Sequence, residues 1–202
     1  RRPPRSPLFP YTTLFRSYVR KHIPSLTQAD TNRTAMFLLR NDTPYIFAVA
    51  TPELILNLRH EFVHVLLNTS HENLPIWLDE GLAEYYELKD GEQQEFRKLL
   101  ARQNRLFWRP GIGRLERLKT MSQMGLVEYA EGWSWVHLLM EGSKASRRVI
   151  PEYLSNLRKG ALSPSISDRV AATGMDARSS WNRQYRTSRR RFATRPASGA
   201  AK

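Results

Sequence analysis

The sequence predicts an α+β chain, with a small N-terminal β-sheet packed on a helix and a mainly helical part after it. Three observations carry this prediction. Two short runs rich in aromatic and aliphatic residues, AMFLL and YIFAVA, fall between Thr34 and Ala50 and are separated by Arg40-Asn41-Asp42-Thr43-Pro44. Apolar runs broken by such turn formers predict a hairpin. Thr51-Pro52-Glu53 then offers an N-cap residue, a proline for the first helical position and an early acid, so a helix is predicted from Pro52 to Leu67. Thirdly, helical patterns recur from there onward. One starts near Ile76 and carries WLDEGLAEYYEL. Residues 91–119 read as helix followed by an irregular Arg109–Gly113 loop. Further helices are expected over Leu126–Met140, over Arg148–Leu157 and through Trp181 and Tyr185.

A chain of 202 residues with 41% apolar content supports one domain with a real core. That domain is expected over residues 18–190. Residues 1–17 are set aside, because Leu8–Ser17 reads like a translated sequencing-library adapter, which would make the domain N-terminally truncated. A lost native start leaves room for a secretory signal and a secreted or periplasmic bacterial setting, so the compartment stays open. After about Arg189 the chain is Arg, Ser, Ala, Gly and Pro, and residues 191–202 are expected to be a disordered basic tail.

The net charge of +13 suggests a nucleic-acid partner until it is divided along the chain. Residues 1–17 hold four basic residues and 177–202 hold eight, with no acid in either stretch. Residues 18–176 therefore keep 20 basic residues against all 19 acidic ones, and this near-neutral body argues against specific nucleic-acid binding. No apolar run approaches the length of a membrane span. The absence of cysteine excludes thiolate metal sites, so any zinc must use histidine and carboxylate ligands.

His60-Glu61-Phe62-Val63-His64 is an HExxH pattern inside the first predicted helix. Histidines at i and i+4 lie one above the other, so both imidazoles can reach one ion, with Glu61 beside them as a candidate general base. The next helix carries Trp77-Leu78-Asp79-Glu80-Gly81-Leu82-Ala83-Glu84-Tyr85. This segment resembles the WLNEGxAxY segment of gluzincin aminopeptidases and of peptidase MA-like proteins, including bacterial members of unknown substrate. The resemblance covers about Thr34 to Tyr185 and implies a zincin-like fold, zinc as the cofactor and Glu80 as the third zinc ligand. Two histidines and one carboxylate leave a fourth position for water, which marks a catalytic rather than a structural zinc. In thermolysin-like enzymes polar residues stand one before and four after the ligand glutamate. By that resemblance Asp79 orients His64 and Glu84 orients His60; read without it, both are equally ordinary solvent-facing helix acids. Tyr129-Ala130-Glu131-Gly132 resembles the YEKG segment of the same aminopeptidases, whose tyrosine donates to the oxyanion, which would give Tyr129 that role in place of simple packing. His137 reads as a core or rim histidine, and the tryptophans as core.

The activity implied is hydrolysis of a protein or peptide by metal-activated water, with Glu61 taking the proton and passing it to the leaving amine. An extended peptide could add to the YIFAVA edge. The acidic GxMEN-like strand with which the aminopeptidases grip a free amino terminus is absent before the helix, so that specificity is not expected. Two rivals stand beside the peptidase reading. One is an inactive or non-enzymatic zinc-containing domain that binds peptides, which would have no use for Glu61. The other is nucleic-acid binding through the arginine-rich tail.

Overall fold

The computed structural model describes residues 34–71, 73–87, 94–105 and 110–186. The expectations for the leader 1–17, the tail 191–202 and Arg109 lie outside these residues. Within them the chain is α+β, a two-stranded antiparallel sheet followed by a largely helical part.

Strands β1 (Ala35–Arg40) and β2 (Thr43–Ala48) pair from Ala35↔Ala48 to Arg40↔Thr43. Asn41 and Asp42 connect them with φ of 49° and 58°, the left-handed pair that a two-residue hairpin turn needs and that these side chains tolerate. The predicted hairpin is therefore present, with its turn narrowed to two residues.

Helix α1 runs over Leu54–Asn68, two residues later than predicted. Thr51 is not its N-cap. The Leu54 amide donates to the Thr51 carbonyl at 3.0 Å, so residues 51–53 form a turn before the helix proper. Asn57 ties α1 to the hairpin through a 2.9 Å bond from its amide to Thr34 Oγ1. After the short connection 69–75, α2 (Ile76–Glu87) returns antiparallel to α1.

Helix α3 (Gln94–Arg105) leads to α4 (Ile112–Leu115), a short helix where an irregular loop was expected. Its position is set by Glu131, a fully buried carboxylate that accepts from the Gly111 amide at 2.7 Å and pairs with Arg114. Helices α5 (Leu126–Glu141) and α6 (Ser146–Arg158) match their predicted spans to within two residues. Helix α7 (Ile166–Ala172) was not anticipated, although its start is written in the sequence. Ser165 is an N-cap whose hydroxyl accepts from the Asp168 amide. Helix α8 (Ala177–Arg186) closes the fold, burying Trp181 completely and donating its indole N–H to Ser134 Oγ at 2.7 Å.

The core is built on α2 and α5, which run side by side in the same direction. Trp77, Leu78, Trp133, Trp135, Val136, Leu139 and Trp181 fill it, so these tryptophans are core residues as expected. The two helices approach most closely at a pair of glycines. A methyl group on Gly81 would lie 2.9 Å from the Gly132 backbone, and one on Gly132 would lie 3.0 Å from the Trp77 carbonyl oxygen. This crossing fixes the height and rotation of α2 and therefore of Glu80, the residue before Gly81. No helix among the described residues is long and apolar enough to cross a membrane.

Candidate metal centre

The histidines at i and i+4 on α1 face α2, as helical periodicity dictates, with their rings edge to face and centroids 4.8 Å apart. Glu80 meets them from the first turns of α2. One ligand atom from each of His60, His64 and Glu80 can be chosen so that all lie within 4.8 Å of one another. Glu80 Oε2 lies 3.5 Å from His60 Nε2 and 3.8 Å from His64 Nε2. Tetrahedral zinc with bonds near ~2.1 Å would space its ligand atoms by ~3.4 Å, so only small adjustments separate this arrangement from a coordination shell.

Both imidazoles are held from behind. His64 Nδ1 is 2.9 Å from Asp79 Oδ1, and His60 Nδ1 is 2.8 Å from Glu87 Oε2. Each carboxylate stabilises the tautomer with the proton on Nδ1, which leaves the Nε2 lone pair towards Glu80. Asp79 thus stands where the sequence reading placed it. Glu84 does not make the contact expected of it. It lies in a second cluster with His60 and Glu87, but the oxygen that accepts from His60 Nδ1 is Oε2 of Glu87. Glu87 was missed, yet seven residues after Glu80 is two turns along the same face of α2, which is the signal that points to it.

Glu80 is 4% exposed, and its Oε2 atom is buried without a hydrogen bond. A buried carboxylate oxygen in that condition is costly unless a cation balances it. The donor set fits zinc, since two imidazole nitrogens and one carboxylate oxygen are ligands it accepts. Without a metal the proton takes over part of that role. Burial opposes protonation of His60, but the Glu80 and Glu87 carboxylates outweigh it and raise its pKa to about 10. His64 is raised as well, with Asp79 overcoming the effect of burial. Burial also lifts Glu84 to about 7; His60 opposes the shift and the neighbouring Glu87 and Glu80 charges add to it.

Glu61 is 5% exposed and follows His60 directly on α1. Tyr129 stands in the first turn of α5, partly buried, and packs against the core. His137 belongs to a different cluster. Its Nδ1 lies 2.6 Å from the Gln184 amide nitrogen, and its ring packs near Trp133 and Tyr85. A separate apolar concavity of about 510 Å³ lies alongside α1, between Phe62, Leu66, Tyr86, Met140 and Leu154. No protein-family model, curated protein or solved structure matches the chain.

Proposed function

We propose that the chain is a zinc-dependent peptidase of zincin-like fold, with His60, His64 and Glu80 as metal ligands and Glu61 as general base. The observation that supports this reading is the Glu80 Oε2 atom, buried without a hydrogen bond and facing two imidazole Nε2 atoms whose opposite nitrogens are already engaged. When bound, zinc supplies a Lewis acid and brings the pKa of a coordinated water towards ~7. The Glu61 carboxylate receives the proton of the attacking water and delivers it to the leaving amine, so that one group serves first as base and then as acid. The Tyr129 hydroxyl is the proposed donor to the developing oxyanion. A peptide would bind extended along the hairpin. Main-chain pairing along a strand edge would hold a substrate with little side-chain preference.

The test is metal analysis of the purified protein, together with casein or peptide-library cleavage with and without chelator. Glu61→Gln should keep zinc and lose nearly all hydrolysis, because the amide has the carboxylate's shape without its basicity. Chelator-insensitive cleavage, or full activity in this variant, would overturn the assignment.

A further inference from the structure

Asn68 is the last residue of α1, one helical turn beyond His64, and was not singled out by the sequence. Its side-chain nitrogen donates to the His64 carbonyl oxygen at 2.9 Å and to Asp79 Oδ2 at 3.2 Å. A carboxamide nitrogen carries two hydrogens, so one group serves both acceptors. The other oxygen of Asp79 accepts from His64 Nδ1 at 2.9 Å. We infer that Asn68 is a positioning residue of the metal centre, acting through Asp79 on His64. With both oxygens engaged, the plane of the Asp79 carboxylate is set, and with it the direction in which it holds the imidazole. Asp79 alone could rotate about its side-chain torsions and still accept from Nδ1, carrying the Nε2 lone pair off the point shared with Glu80 and His60. The chain Asn68–Asp79–His64 also ties the end of α1 to the start of α2 across the short connection between them. The His60 arm is built differently, from the Glu87 contact at the far end of α2.

This inference rests on the metal-centre reading, and the test separates the two. Zinc affinity is measured by chelator competition, and the Co²⁺-substituted protein by its visible absorption, for the wild type, Asn68→Ala, Asn68→Asp and Thr69→Ala. Thr69 is the matched control, since its hydroxyl bonds to the Val65 carbonyl at 2.6 Å, the same kind of helix-end bond, without reaching Asp79. Partners outside the ligand shell typically contribute about 10–100-fold to metal affinity. Asn68 is one step further out and exposed, so Asn68→Ala should weaken zinc about tenfold and alter the Co²⁺ spectrum, while Thr69→Ala changes neither. Asn68→Asp keeps the shape but removes the donor and sets a like charge against Asp79, so it should bind at least as weakly. In an Asp79→Ala background the Asn68→Ala effect should vanish. A wild-type chain that takes up no zinc overturns the metal reading and this inference with it. Wild-type binding that Asn68→Ala leaves within twofold overturns the role of Asn68 alone.

Discussion

At the scale of single residues, the centre depends on which carboxylate stands behind each imidazole. Glu87 touches His60 Nδ1 at 2.8 Å, whereas Glu84 is a near neighbour that burial and surrounding carboxylates push to about 7. Glu87→Gln should therefore weaken zinc by about 10–100-fold, because its amide nitrogen can turn towards Nδ1 and favour the wrong tautomer. Glu84→Gln should change affinity far less, and chelator competition on the two variants checks the order; equal losses would return Glu84 to the orienting role. Tyr129→Phe removes a single hydroxyl. If that hydroxyl serves the oxyanion, turnover should fall ~100-fold with zinc content and folding intact, and a fall below threefold refutes the role. The pairing of His60 with His64 on one face was legible because i,i+4 spacing needs only local helical geometry, whereas Glu80 was reached through the resemblance of its segment to the gluzincin one. The choice between Glu84 and Glu87 was not legible. Both project from one face of α2, and which of them reaches His60 depends on where the antiparallel helices meet along their length.

At the scale of elements, α2 is positioned by the glycine crossing with α5. Gly81→Ala would gain roughly 1 kcal/mol of helix propensity. Its methyl, however, meets Gly132 backbone atoms at 2.9 Å, where no flexible side chain can yield. The helices must separate, so a net loss of roughly 1–3 kcal/mol is expected in urea unfolding, with zinc affinity lowered as Glu80 moves. Gly113→Ala is the control, because a methyl there meets nothing within 4 Å. An unchanged unfolding midpoint in Gly81→Ala would show that the crossing is not tight. The long helices were legible from their apolar faces, and α7 was not, since it has seven residues and too short a pattern to stand out. The start of α1 was misread because Thr51-Pro52-Glu53 suits either an N-cap or the turn that it forms. The Arg114–Glu131 pair that seats α4 joins residues with no shared local pattern, so only the packed chain brings it into view.

For the whole molecule, the protonation of the centre couples stability to pH. His60 titrates at about 10 in the metal-free fold against 6.5 in an unfolded chain, so its stabilising contribution is complete below pH 6.5 and is lost as pH rises through about 10. Glu84 acts with the same sign, since its shift from 4.5 to about 7 favours the fold below that range and is lost above it. Metal binding displaces the histidine protons, so zinc affinity should instead rise with pH. Melting temperatures at pH 6, 7.5 and 9 should then fall in chelator, while the gap between the zinc-loaded and chelated forms widens. A chelated form that grows more stable over this range would contradict the assignment. The short connection between α1 and α2 has a consequence for how the chain folds. The contacts that orient the two imidazoles span sequence separations of 15 and 27 residues, so closing them costs little chain entropy. His60, His64 and Glu80 all belong to one local hairpin of helices, a low-contact-order unit that can come together before the distant segments arrive. On the proposed zinc reading, an ion present during folding would meet these residues early and become a template on which the α2–α5 interface is subsequently laid.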